Sequence, residues 1–347
     1  MSYYQAALSI DPENALVHNN LGTAFLKEGD IERAAGSFRR ALEYAPGHPM
    51  ASNNLGNLLL DTGRVDEAID CFEKALTPDN PFLYKAHNNI ATAFARKGDF
   101  DRAVFHLRRA LAMSMNVATV KVAEMVGYPR VAEVWSKKMG IGAPIQPYPA
   151  LALGSFEATP FELATAYNVL ANDGLKVEPV TLLRVADEKG RVLEQHRAAV
   201  PERVIRQESA FLVVDMLRSV LNEGTAASAR GMGFTADAAG KTGTTNDYRD
   251  AWFAGFTPDL LCVVWVGFDD NTPVGLSGTR AALPIWVDFM KAALGGLKPT
   301  PFPAPPEGIV FVDIDKETGL LAGPGCPKTR SEAFVAGTEP REPCGAH

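Results

Sequence analysis

Residues Asn20-Leu21-Gly22, Asn54-Leu55-Gly56 and Asn89-Ile90-Ala91 recur at steps of 34 and 35, and behind them Ala34, Ala68 and Ala103 keep the same steps. A period of this length calls for stacked helix pairs, because one pair cannot bury its apolar face alone and its neighbours must close the core. Each pair needs a tight turn. Glu28-Gly29-Asp30, Thr62-Gly63-Arg64 and Lys97-Gly98-Asp99 supply it, with glycine taking the left-handed backbone that ends a helix. In the first copy Leu21, Gly22 and Phe25 share one helix, Ala34, Phe38 and Ala41 the next, and Pro46 closes the unit. The small residues predict close approach of the paired helices, and Phe38 and Phe72 are expected to fill the gap between neighbouring units.

This pattern resembles the tetratricopeptide repeat, with units at about 15–48, 49–82 and 84–117 in an all-α solenoid over residues 1–110. Tyr4, Ala7 and Pro12 match the second helix of a preceding unit, so the chain is expected to open mid-repeat, as a truncated start. Such repeats present a concave surface to a peptide or protein partner. Asn19, Asn20, Asn53, Asn54, Asn88 and Asn89 are the candidates for gripping an extended backbone. The other reading of these asparagines is that they cap turns and solvate a face.

A formal charge of -7 and a pI near 5.5 leave no basic stripe for phosphates, which argues against nucleic acid as a partner. No stretch approaches the roughly 20 apolar residues that cross a bilayer. The opening MSYYQAALSIDPEN has neither a basic leader nor an apolar core, so no signal or membrane segment is expected in these residues. None of the four cysteines has zinc-ligand spacing, and neither a metal nor a cofactor is expected. Cys326 and Cys344 share a Pro/Gly-rich tail, where they either pair in an oxidising compartment or remain two thiols.

The strongest chemical signal lies further on. Ala239-Gly240-Lys241-Thr242-Gly243-Thr244-Thr245, Asp250-Ala251-Trp252-Phe253-Ala254-Gly255-Phe256 and Leu261-Cys262-Val263-Val264-Trp265-Val266-Gly267 read as three consecutive antiparallel strands. Thr257-Pro258-Asp259 turns the last two. Earlier, Ser114-Met115-Asn116 forms a Ser-x-Asn triplet.

Lys-Thr-Gly on a strand edge with Ser-x-Asn before it resembles the penicillin-binding proteins and serine β-lactamases. The runs LALGSFEATPFELATAYNVLANDG, GKTGTTNDYRDAWFAGFTP and VVWVGFDDN are similar to class A penicillin-binding proteins, over about residues 107–347. The resemblance implies a partial α/β transpeptidase fold with an antiparallel sheet over 107–296, at the extracytoplasmic or periplasmic face of the cell. The family's chemistry is acyl transfer from D-Ala-D-Ala stem peptides through a serine ester, and β-lactams acylate the same serine.

By the same resemblance, Ser114 passes a proton, Asn116 holds the acyl side chain, and Lys241 sets positive charge beside the substrate carboxylate. The Thr242 and Thr244 hydroxyls bind that carboxylate, and Thr245 completes the substrate-binding run. The Thr244 N–H supplies half of an oxyanion hole. Gly243 leaves the strand edge open to a ligand.

The nucleophile belongs to a Ser-x-x-Lys motif, and no serine in these 347 residues has lysine three positions later. Repeat helices stand where that motif is expected, and the expectation from this sequence is a member without the family's upstream glycosyltransferase domain and membrane anchor. The expected outcome is a transpeptidase-like chain that is inactive alone. The competing reading is a repeat scaffold that binds a partner and carries a degenerate transpeptidase-like domain. The two patterns meet within residues 100–111, where Ala103, Leu107 and Ala110 keep the repeat register while leading into Ser114. Beyond the strands, Ala281 to Leu294 is expected as a helix across the sheet. Residues 297–347 are expected as a proline-rich linker, Pro299 to Pro306, and a peripheral extension with a strand at Ile309 to Asp315.

Overall fold

The computed structural model describes residues 2–76, 80, 83–196, 199–298, 300–316, 318–326 and 328–344, so Pro299 and the closing residues 345–347 lie outside the described residues. It divides into two compact units. Met1–Ala110, Met115–Val122 and Phe311–His347 form the first; Leu111–Ser114 and Ala123–Val310 form the second.

The first unit is the solenoid. Its helices are α1 (Ser2–Ile10), α2 (Ala15–Lys27), α3 (Ile31–Tyr44), α4 (Pro49–Asp61), α5 (Val65–Lys74), α6 (Leu83–Lys97), most of α7 (Phe100–Ala112) and the start of α8 (Asn116–Val126). Side chains start the helices: Asn14 accepts from the Val17 N–H, and Asp30 from the Arg33 N–H, each satisfying a donor that has no partner in the first turn. Gly29, Gly63 and Gly98 end them at φ of 80°, 80° and 84°. The close approach of paired helices expected of the small residues is there, inside each pair. A Cβ on Gly22 would sit 2.6 Å from the Phe38 ring, and one on Gly56 2.5 Å from Phe72. Each phenylalanine thus fills the groove of its own unit's first helix rather than only the gap to the next unit. Tyr4 and Leu8 lay α1 against the same core.

In the third pair, His87 and His106 are buried with their Nδ1 atoms 2.9 Å apart. One ring must donate and the other accept, so the accepting ring is neutral. Burial agrees, taking His87 down to about 3.

The second unit continues with α9 (Tyr128–Glu133), α10 (Pro160–Ala171), the strand pairs β1 (Leu175–Lys176) with β4 (Glu202–Arg203) and β2 (Arg184–Ala186) with β3 (Val192–Gln195), then α11 (Gln207–Asn222) and α12 (Ser228–Gly231). Its platform is a three-stranded antiparallel sheet in the order β5 (Ala239–Thr244), β6 (Ala251–Phe256), β7 (Leu261–Val266). Gly243 faces Trp252, and Phe253 faces Val264. Helices α10, α11 and α13 (Ala282–Leu294) pack on this sheet. Trp286 of α13 is fully buried, stands edge-on to Phe253 and Phe234 at 4.9 Å from each, and donates its Nε1–H to the Gly255 carbonyl at 3.2 Å. Satisfying that indole donor lets the largest side chain of the core sit dry against the sheet.

The remaining strands, β8 (Ile309–Asp315) and β9 (Thr329–Val335), pair in the segment expected as a peripheral extension. From Phe311 on, that segment packs with the repeats. The Gly319 backbone lies against Phe105, Arg102 pairs with Glu342, and Arg108 pairs with Glu332; the last two are only 4% and 3% exposed. Arg330 also donates to Glu332, at 2.7 Å. Two guanidiniums therefore converge on one buried carboxylate.

Two stability predictions follow from this packing. Gly22→Ala forces a methyl into the Phe38 ring and is expected to destabilise the solenoid by about 1–3 kcal/mol, as overpacking does. Urea titration followed at helical wavelengths reads it, and an unshifted midpoint refutes it. Glu332→Ala leaves Arg108 buried without its carboxylate, and a loss of about 3–5 kcal/mol is expected in the same measurement. A change below about 1 kcal/mol would show that the pair is not a buried one.

Candidate active site

Helix α7 ends in a way that presents a serine. The Met115 N–H reaches back to the Ala110 carbonyl, and the Ser114 N–H to Leu111, which is the paired closure usually made with glycine in the left-handed position. Ser114 holds that position at φ 57°, exposed. A side chain there costs roughly 1–2 kcal/mol, and such outliers cluster where the residue has a task.

Ser114 meets the edge of β5. Lys241 Nζ donates to Ser114 Oγ at 2.7 Å and to the Thr242 carbonyl at 3.0 Å, and lies 3.5 Å from Thr242 Oγ1. Lys241 is half-buried, and loss of hydration pulls its ammonium down to about 8. The lysine thus stays mainly charged at neutral pH but loses its proton far more readily than an ordinary lysine, next to a hydroxyl able to pass a proton on.

The other residues singled out in the strand divide. Thr242 is buried, and its hydroxyl is shared with Thr225 Oγ1 at 2.8 Å. Thr244 is exposed; its hydroxyl oxygen accepts the Gly278 N–H at 3.0 Å and keeps its own hydrogen to donate. Thr245 serves the turn into β6, with its hydroxyl accepting the Asp250 N–H at 2.7 Å. At Gly243 the crowding comes from within the protein: a Cβ would stand 3.1 Å from that of Trp252, while a Cβ on Gly278 would stand 2.4 Å from the Gly243 carbonyl. Asn116 opens α8, exposed, in the first unit.

Thr225, Gly278 and Thr279 went unread in the sequence. The signal was present as a recurring dipeptide: Gly224-Thr225, Gly243-Thr244 and Gly278-Thr279 converge here, and Thr279 Oγ1 donates to the Thr225 carbonyl at 3.1 Å.

In the solenoid the asparagines form a column. Asn54 donates to Asn19 Oδ1 at 2.9 Å and Asn89 to Asn53 Oδ1 at 3.4 Å, linking successive units. Asn19, Asn53 and Asn88 are buried, while Asn20, Asn54 and Asn89 are half-buried. Cys326 and Cys344 are bonded, with Cα atoms 6.4 Å apart. Among the described residues no helix is long and apolar enough to cross a membrane.

Comparison with known proteins extends these observations. Residues 73–291 match the penicillin binding protein transpeptidase domain, 305–347 the C-terminal domain of penicillin-binding protein 1A, and 2–49 and 19–82 the tetratricopeptide repeat. Penicillin-binding protein 1A of Aquifex aeolicus is 43% identical over 242 residues, covering 69% of this chain and 32% of that protein. Penicillin-binding protein 2D of Bacillus subtilis is 38% identical over 249, covering 69% and 35%. The chain therefore spans about a third of the length of these relatives. Among solved structures, penicillin-binding protein 1A from Haemophilus influenzae superposes with a TM-score of 0.63 at 31% identity, over 69% of this chain and 41% of that one. PonA1 from Mycobacterium tuberculosis in complex with penicillin V reaches 0.51 at 26%, over 58% and 59%. With the transpeptidase match spanning more than half of its residues, the chain belongs to the penicillin-binding protein transpeptidase family, as a member that also carries tetratricopeptide repeats.

Proposed function

We propose that the second unit is a D,D-transpeptidase-like module of peptidoglycan synthesis that receives a D-Ala-D-Ala stem peptide, or a β-lactam, along β5 at the extracytoplasmic face. These residues do not acylate by themselves. The observation that carries the reading is the 2.7 Å contact between Lys241 Nζ and Ser114 Oγ, which sets a low-pKa amine and a hydroxyl beside an exposed strand end. In this reading Lys241 and the Thr244 hydroxyl hold the ligand's terminal carboxylate, with Thr242 behind them. Ser114 relays a proton, Asn116 holds the acyl side chain, and the Thr244 N–H polarises the scissile carbonyl. What these residues lack is the Ser-x-x-Lys pair that makes the acyl bond. Without it only binding and carbonyl polarisation remain.

The intact chain incubated with benzylpenicillin is therefore expected to gain no mass. A stoichiometric adduct on any serine, seen by intact-mass spectrometry, would overturn the inactive reading. Reversible binding of a peptide ending in D-Ala-D-Ala should track the Lys241 charge. The ammonium is present below about 8 and lost above it, so affinity is expected to fall as pH rises through that value. A profile flat to about 10, where ordinary lysines titrate, removes Lys241 from carboxylate binding.

A second reading concerns the solenoid, which on this view is a scaffold for a peptide or protein partner. On this reading the half-buried members Asn20, Asn54 and Asn89 meet it, since Asn19, Asn53 and Asn88 are buried.

A further inference from the structure

We infer that Thr225 is a positioning residue that joins the Ser114 turn to the Lys241 strand and fixes which way the Thr242 hydroxyl points. The inference rests on reading this strand edge as the ligand site, and it assigns a task to a residue outside the Ser-x-Asn and Lys-Thr-Gly motifs.

Two contacts made by one residue carry it. Through its backbone, the Thr225 N–H donates to the Ala112 carbonyl at 3.0 Å, two residues before Ser114. The preceding Gly224 permits that approach, because a Cβ there would stand 2.3 Å from the same carbonyl. Through its side chain, Thr225 Oγ1 lies 2.8 Å from Thr242 Oγ1. The Thr279 hydroxyl, donating to the Thr225 carbonyl, holds the residue from a third side.

The direction of the hydroxyl pair follows from the lysine. An ammonium only donates, so where Lys241 Nζ approaches Thr242 Oγ1 that oxygen must accept. The Thr242 hydrogen then has to point elsewhere, and Thr225 Oγ1 is the acceptor in reach. Thr225 thus keeps a lone pair of Thr242 turned toward the ammonium and favours its charged form. Remove the Thr225 hydroxyl and the Thr242 O–H is free to swing toward Lys241, where a donor facing a donor disfavours the charge.

The test is the titration of Lys241, followed by the ε-carbon resonance in chain labelled with 13C-lysine and assigned with Lys241→Met. Thr225→Val is expected to move the midpoint below that of wild type, and Thr225→Ser to restore it. Affinity for an N-acylated peptide ending in D-Ala-D-Ala should fall roughly five- to tenfold in Thr225→Val, the loss of about one hydrogen bond, and return in Thr225→Ser. If the hydroxyl pair is the link, adding Thr225→Val to Thr242→Val changes the midpoint no further. A Thr225→Val chain titrating with wild type, a serine variant that fails to rescue, or an additive double variant each overturn the inference. The double variant also decides the matter should the single one fold poorly. Wild-type chain that binds no peptide would refute the ligand site while the titration still decides the role of Thr225.

Discussion

The Ala112 carbonyl at the end of α7 accepts the Thr225 N–H, and that one bond brings the Ser114 turn to the rim of a sheet more than a hundred residues later in the chain. The Lys241 contact, the lowered pKa and the open end of β5 have meaning only if the turn is held there. The sheet supplies the other half. Trp286 pins β6 through the Gly255 carbonyl, β6 sets the register of β5, and the register places Gly243 against Trp252 with Lys241 and Thr244 on either side. The site is thus assembled from a helix end, a turn and an edge strand, each fixed by backbone hydrogen bonds.

Membership of the transpeptidase family and absence of the Ser-x-x-Lys pair are compatible in physical terms. Binding a carboxylate at a strand edge needs a cation and hydroxyl donors, and Lys241, Thr244 and Ser114 are groups of these kinds. Forming an ester needs an alkoxide and a base to make it, and the 347 residues contain no serine with that spacing. The first set is local to two segments; the second needs a Ser-x-x-Lys pair, which these residues do not form.

Much of the architecture was legible because it is written in short range. The period of 34–35 residues, the turn glycines and the run from Ala239 to Val266 each specify an element without reference to anything distant. What escaped is written between segments. The two asparagines of each pair read alike in the sequence, and only the folded stack distinguishes the buried Asn19, Asn53 and Asn88 from the half-buried Asn20, Asn54 and Asn89. Phe38 looks the same whether it fills its own unit or the next; the difference lies in Gly22, one of many helical glycines. Thr225 belongs to no motif, and nothing in its neighbours foretells the Thr242 hydroxyl. The spacing of Cys326 and Cys344 left pairing and free thiols equally open, because the fold of the intervening tail decides it.

The pairing of Arg108 with Glu332 bears on the order of events during synthesis. A stack of repeats can ordinarily complete itself as each unit leaves the ribosome, since each touches only its neighbours. Here the last helix pair is finished by residues 311–347, which follow the entire sheet unit in the chain. Until they emerge, a guanidinium and the Phe105 ring that end up buried stay in water, and the solenoid has an open apolar end. The sheet unit must therefore be made, and is free to fold, while the repeats that precede it are still incomplete, so a unit made earlier closes later than the one that follows it.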